Sequence, residues 1–238
     1  MAQERVKKPE IHSRIVQIAK TVRTEALAHA IKIGVAGNGG SFSEQAAIAY
    51  AKRRLKNEGD ASVFKMIEVV WLITAEAVME ALGNKTIDYG IFAVFNNHGG
   101  AAIENWDAML THRVSPEVNP DGYPETVVLP IEHVLMMRRD AGKEVRDIFT
   151  QLQAHEQTRG NIERQWGKRV KVHHYPDTAT AAKDLAEGNF SSDVDLSATA
   201  VIGPMNAAKL HKLDVRWRHM EDHPNNKTTF IVAKPYSK

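Results

Sequence analysis

Short apolar runs alternate with stretches of helical period along this chain. Ile31-Lys32-Ile33-Gly34-Val35-Ala36 predicts a buried strand that ends in Gly37-Asn38-Gly39-Gly40. Ser41-Phe42-Ser43-Glu44-Gln45 then opens a helix carrying Ala46, Ala47, Ala49 and Tyr50, with Ser41 or Ser43 suited to cap its first turn. A strand is predicted over Val63–Val70, a Thr-started and Gly-ended helix over 74–83, and a strand over Ile87–Val94. The order recurs: a long strand over Val127–Met137, a helix over 145–166, a strand over Val170–His174, a second helix over 178–188 capped by Thr178, and a strand over Ala198–Gly203. Ahead of all this, Ile11, Ile15, Ile18, Val22, Ala26 and Ala30 fall at steps of three and four, which predicts an amphipathic helix before the first strand.

The helices at 74–83 and 178–188 share an opening Thr-Ala, a Gly end and a place before a strand, as if two α/β lobes echoed each other. The expected division is a helical extension over 1–31, a first lobe from 32–114 plus 204–238, and a second lobe over 115–203. The Pro- and Asn-rich stretch Ser115–Pro124 would carry the chain across, Gly203-Pro204 would bring it back, and a last strand would run over Thr229–Ala233. Strand–helix alternation favours parallel sheets, whose ligands sit beyond the carboxyl ends of the strands. In two facing lobes those ends meet across a cleft.

Composition narrows the function classes. The 238 residues are 43% hydrophobic and 25% charged, with a formal net charge of +2, so nothing points to nucleic acid or to a membrane surface. No cysteine is present, which excludes thiolate nucleophiles and thiolate zinc sites. Neither a leader segment nor an apolar run of about 18 residues is found, so a cytoplasmic protein is expected. Eleven histidines invite a metal, but His173 and His174 point to opposite faces of a strand and no helix carries the His-x-x-x-His spacing. Neither a metal nor another cofactor is expected.

The Gly37–Gly40 loop lets backbone approach a ligand, and the helix behind it offers unpaired N–H groups that suit an anion. It is not a dinucleotide fingerprint, because the third glycine is missing, and it lacks the lysine of a phosphate-binding P-loop. Asn96-Asn97-His98-Gly99-Gly100 lies after a strand, where two amides and an imidazole can bind a ligand. Asn225-Asn226-Lys227-Thr228-Thr229-Phe230 offers amides, a cation and hydroxyls at the start of the last strand.

Taken in order, these segments resemble the catalytic domain of the prephenate dehydratase family from about residue 33 to residue 234. The family's Gly-Pro-Glu-Gly-Thr-Phe-Ser is similar to Gly37–Ser43, and its Pro-Ile-Glu-Asn-Ser segment to Ala93-Val94-Phe95-Asn96-Asn97. Its Ser-His-Pro-Gln is similar to Ala154-His155-Glu156-Gln157, its Ser/Thr-Ala-Ala helix to Thr178–Ala182, and its Asn-x-Thr-Arg-Phe to Asn226–Phe230. The resemblance implies a two-lobed α/β fold of the type II periplasmic-binding-protein kind. It also implies conversion of prephenate, or a close cyclohexadienyl relative, to phenylpyruvate with loss of water and CO2. Thr228 would be the catalytic hydroxyl. Ser41, Phe42, Asn96, His155 and Thr178 carry over as pocket residues. Ser43, Asn97, His98, Thr180, Asn226, Lys227, Thr229 and Phe230 complete the candidate substrate-binding set. The expected partner is a small anionic dicarboxylate, the expected assembly a homodimer, and neither a regulatory domain nor a fused chorismate mutase is expected. Three motifs depart from the family's pattern: its glutamate is Phe95, its arginine Thr229, and its Pro-Glu pair Asn38-Gly39. These departures leave open a decarboxylation without dehydration, with His98 or His155 as acid or base, and a binding module without catalysis.

Overall fold

The computed structural model describes residues 12–19, 30–59 and 62–236. Two sheets with helices on their faces form two lobes. In the first, β1 (His12–Gln17), β3 (Met66–Trp71), β2 (Ile31–Val35), β4 (Tyr89–Asn96), β13 (Lys227–Pro235) and β6 (Val114–Pro116) lie side by side in that order. The short β5 (Gly100–Ala101) pairs with β4, and β7 (Thr126–Pro130) with β13. In the second, the order is β10 (Lys171–His174), β9 (Asp147–Thr150), β11 (Thr199–Pro204), β8 (His133–Met137) and β12 (Asp214–Trp217). The chain's first strand in each parallel set is central, flanked by the next two: β2 runs parallel to β3 and β4, and β9 to β10 and β11. This is the type II periplasmic-binding-protein-like arrangement.

Parallel strands force each connecting helix to start at the carboxyl end of the sheet. The helices that follow these strands are α1 (Phe42–Glu58), α2 (Ala75–Gly83), α3 (Ile103–Thr111), α4 (Leu152–Trp166) and α5 (Thr178–Glu187), with the short α6 (Met205–Leu210) after β11. Ile33, Val35, Ala46, Tyr50, Phe64 and Ile91 are fully buried between α1 and the first sheet, and Val134, Met136, Ala181, Leu185 and Val201 form the corresponding core of the second lobe.

Several expectations need correction. The segment read as the start of a helix is the strand β1, antiparallel to β3; Ile11, Val22 and Ala26 lie outside the described residues. Of the spaced apolar positions only Ile15 falls within β1, so the three–four spacing is not what decides this segment. Here Arg14 and Val16 turn partly inward, while Ile15 stays exposed on the edge strand. The long strand over 127–137 is two strands in different sheets, because Pro130 has no N–H to continue the ladder. The chain therefore crosses between lobes at Ile131-Glu132. Residues 115–124 stay with the first sheet, where the Glu117 N–H donates to the Val232 carbonyl at 2.8 Å. The return also comes later than Gly203-Pro204, since β12 still belongs to the second sheet. The stretch read as a helix from 145 begins with the buried strand β9. The capping residue of α5 is Asp177, not Thr178.

At α1 the capping is as expected: Ser41 Oγ accepts from the Glu44 N–H at 3.2 Å. The buried Glu44 carboxylate accepts from the Gly40 N–H at 2.7 Å and from Trp71 Nε1 at 3.3 Å, and pairs with Arg14 of β1 at 2.9 Å. Three elements thus converge on the glycine loop. The loop in turn packs the lobes together. Gly40 has φ +85°, and a Cβ there would stand 2.7 Å from Ala207 Cα of α6. Across the same seam the Asn38 N–H donates to Asp177 Oδ2 at 3.3 Å. Glycine is required at position 40 both by the left-handed backbone and by the other lobe's main chain. Gly40→Ala is expected to lower the free energy of unfolding by about 1–3 kcal/mol, read in urea titrations, because the backbone of Ala207 cannot yield as a flexible side chain would.

Candidate active site between the lobes

Helix starts from both lobes surround a cleft of about 720 Å³. Ser41, Phe42 and Ser43 come from the start of α1, Thr74 and Ala75 from α2, and Ala102, Glu104 and Asn105 from α3. The second lobe supplies Gln151, Gln153 and Ala154 at α4, and Asp177 and Thr178 at α5. The first N–H groups of a helix have no partner within it, and the helix dipole is positive at that end. Five such ends around one cleft favour an anion, although none of the described residues lining the cleft is a lysine or arginine. The carboxylates in the lining are Glu104, Glu156 and Asp177. Asp177 is buried, which raises its carboxyl above the usual range, against the hydrogen bonds it accepts from Thr180 and the Asn38 N–H. Phe42, Phe92, Phe95, Phe230 and Ile131 give the same cleft an apolar wall.

Along one side of the cleft runs a row of buried polar side chains. Asn96 Nδ2 is 2.9 Å from Thr228 Oγ1 and 2.8 Å from Asn226 Oδ1, and Asn226 Nδ2 donates to Gln157 Oε1 at 2.7 Å. Gln157 Oε1 also lies 3.1 Å from His133 Nε2. The other end of the Asn96 amide, Oδ1, accepts from the N–H groups of His98 and Gly99 at 2.9 and 2.8 Å, which shapes the turn after β4. Thr228 Oγ1 is therefore an acceptor towards Asn96, and among the described residues no group accepts from its own O–H, which is left to donate towards the cleft it lines. Accepting one hydrogen bond makes a hydroxyl a stronger donor in the next.

Of the expected residues, Ser41, Phe42, Ser43, Asn96, His98, Thr178, Asn226, Thr228 and Phe230 line the cleft. Asn97, His155, Thr180, Lys227 and Thr229 do not. Asn97 clasps the incoming strand, donating to the Asn225 carbonyl and accepting from the Lys227 N–H at 2.9 and 2.7 Å. Lys227 is exposed and serves the row only through its carbonyl, 3.1 Å from Asn96 Nδ2. Thr229 faces away because neighbours on a strand alternate and Thr228 faces in. Thr180 Oγ1 donates to Asp177 at 2.9 Å within the α5 cap. His155 turns to the outside of α4, where its Nδ1 meets His174 Nε2 at 3.0 Å. Burial, and then His174, lowers its pKa.

The cleft also contains His133, Gln157, Asp177 and His223, none of which was singled out from the sequence. His223 stacks on His98 with ring centres 4.4 Å apart. His133 is 4% exposed, and its Nδ1 is buried without a hydrogen-bond partner among the described residues. Gln157 was visible in the resemblance. His133 sat inside what read as one uninterrupted strand, where a lone histidine gives no signal.

Burial holds the His133 imidazole below its ordinary pKa, opposed by the Gln157 hydrogen bond and by Glu221. The unfolded chain thus takes up this proton at a higher pH than the folded protein. The corresponding stability is complete above about pH 6.5 and is lost as the pH falls towards the folded value. His133→Gln cannot titrate, so between pH 7.5 and 5 its unfolding free energy is expected to fall less than that of the parent, measured by urea titration at each pH.

The model of the family described as "Prephenate dehydratase" matches residues 33–237. Arogenate dehydratase/prephenate dehydratase 1 of Arabidopsis thaliana is 26% identical over 203 residues, covering 85% of this chain and 44% of the relative. The chain spans less than half the length of the first curated relatives it matches. Among solved structures, a prephenate dehydratase from Arthrobacter aurescens in complex with L-Phe superposes with a TM-score of 0.63 at 18% identity, over 87% of this chain and 61% of that one. A structure described as GqqA, a novel type of quorum quenching acylase, gives 0.60 at 18% identity, over 87% of this chain and 65% of that one. Such distant structures share the fold alone, but the match of the family model runs through both lobes and all but the last residue of the tail. The chain belongs to the prephenate dehydratase family.

Proposed function

We propose that the cleft carries out a dehydrating decarboxylation of a cyclohexadienyl acid of the prephenate or arogenate type, with Thr228 as the hydroxyl that serves the leaving oxygen. The observation that carries this reading is the Thr228 hydroxyl in the cleft lining with Asn96 Nδ2 2.9 Å from its Oγ1. In the reaction the ring carbon–oxygen bond breaks as the departing hydroxide takes a proton. The bond from the ring to its carboxylate breaks too, and its electron pair enters the ring, so that water, CO2 and an aromatic ring result. Aromatisation supplies the driving force. The protein has to hold the acid in place and protonate the leaving group. Thr228 passes the proton on and recovers one from solvent.

The rest of the cleft agrees with this demand. Phe42, Phe92, Phe95 and Phe230 offer an apolar surface to a ring, and the start of α1 in one lobe and the start of α4 in the other, which no side chain caps, serve as carboxylate sites. The helix ends stand in for the arginine expected after the catalytic threonine, a position that here faces out of the cleft. Phe95, in place of the family's glutamate, favours a second reading in which ring and carboxylate are bound as before but only CO2 departs. A cytoplasmic homodimer remains part of the proposal on the strength of the resemblance.

Incubation with prephenate and with arogenate, followed by product analysis, tests the reading. Formation of phenylpyruvate or phenylalanine is expected, falling by about 10²–10⁴-fold in Thr228→Ala and largely kept in Thr228→Ser, which retains the hydroxyl. A non-aromatic decarboxylated product, in which the hydroxyl is kept and a proton at a ring carbon takes up the electron pair left by CO2, would transfer the assignment to the second reading. Binding without conversion would leave a ligand-binding module.

A further inference from the structure

The row of polar side chains has a second end. At one end Thr228 presents a donor; at the other, beyond Asn96, Asn226 and Gln157, stands His133. The tautomer of its ring follows from the partners. Gln157 Oε1 already accepts from Asn226 Nδ2, so Oε1 is the acceptor facing His133 and the ring's Nε2 must carry the hydrogen. In the neutral ring Nδ1 is then a bare lone pair. It is buried, and no group among the described residues donates to it. The ring is fixed from three sides: the Gln157 contact, the edge-on Phe42 ring with centres 5.6 Å apart, and its own backbone, whose N–H donates to Glu221 Oε2 at 2.9 Å. Leaving a buried acceptor unmet is costly, so a ligand that brings a donor is favoured over one that brings another acceptor.

We propose that His133 is a specificity-determining residue of the cleft, whose Nδ1 accepts a hydrogen bond from a primary ammonium on the ligand, at the end remote from the hydroxyl held by Thr228. An oxo group at the same place has no hydrogen to give and sets two acceptors against each other. The charges around the cleft agree. Among the described residues no lysine or arginine lines it, while Glu104, Glu156 and Asp177 do, which suits a ligand carrying both a carboxylate for a helix start and an ammonium. The selectivity rests on the function proposed above, in which the amino and oxo ligands are arogenate and prephenate. The selecting chemistry itself does not depend on turnover.

Two amide replacements separate the ring nitrogens. His133→Gln keeps a donor near the Nε2 position and removes the Nδ1 acceptor; His133→Asn keeps an acceptor near Nδ1 and gives up the contact with Gln157. The measurements are kcat/KM for arogenate and prephenate, and calorimetric binding of L-phenylalanine and phenylpyruvate, an amino and oxo pair that needs no catalysis. The parent is expected to prefer the amino member of each pair. In His133→Gln that preference should shrink about tenfold, through KM and Kd rather than kcat, and in His133→Asn most of it should remain. Thermal melts establish that both variants are folded. If the parent prefers the oxo compounds, binds neither product, or keeps its preference in His133→Gln, the proposal is overturned. Absence of turnover together with His133-dependent binding of L-phenylalanine would remove the lyase reading and leave this one standing.

Discussion

Asn226 is tied to both lobes at once. Its Oδ1 meets Asn96 at the end of β4, its Nδ2 meets Gln157 of α4, and its carbonyl takes the N–H of Ile131 where the chain first crosses. The two crossing segments are thereby fixed side by side, and with them the distance between two sheets that otherwise meet at the glycine loop. The residue is buried, so each of these bonds is made away from water, where an unmet amide would cost about 1–3 kcal/mol. Thr228, two residues further on, receives its orientation from the same Asn96 amide. The joint that sets the lobes and the hydroxyl that faces the ligand are parts of one hydrogen-bonded unit.

Charge in the cleft follows from topology. Parallel strands place helix starts at the carboxyl ends of the sheets, and two sheets facing each other place them in one cleft. Fixed dipoles differ from flexible cations in that they need no ordering when an anion arrives. They are also weaker than an arginine fork and leave the negative side chains Glu104, Glu156 and Asp177 without cations to offset them. The three carboxylates stand at helix starts themselves, Glu104 in the first turn of α3, Glu156 near the start of α4 and Asp177 capping α5, so both signs meet at the cleft surface, which suits a molecule of mixed charge.

Much of this was legible in the sequence because the period changes with each element. The strand–helix alternation, the glycine loop and the Ser41 cap all have local signatures, whereas Asn96 and Thr228 came from the resemblance and their hydrogen bond from the fold. Misread segments share one cause: their identity depends on partners far along the chain. Residues 12–17 form a strand only because β3 offers an open edge, and 127–137 divides only because Pro130 ends one ladder where Ile131 meets Asn226. His155 lies on a helix whose inner face is chosen by packing, and it falls on the outer one. Lys227 and Thr229 flank Thr228 on a strand, so placing Thr228 in the cleft turns both away. His133 had no local signature at all, since its meaning comes from Gln157 and Phe42.

The glycine loop shows how one segment meets two demands. Its helix start belongs to the anion-binding ring of the cleft, yet its glycines are used elsewhere: Gly40 admits the main chain of Ala207 from the other lobe, and the Asn38 N–H reaches Asp177 at the cap of α5. Glu44 holds the Gly40 N–H from behind and is itself held by Arg14 of the edge strand. A change in lobe spacing would therefore move the start of α1 relative to α5 and strain the Asn226 joint on the opposite side of the cleft. Both helix starts line the cleft, so the seam and the joint bound the same space from two sides. The shape of the cleft therefore rests on residues that do not line it as well: Asn97 holds the strand that carries Thr228, and Thr180 holds the Asp177 cap that meets the Asn38 N–H.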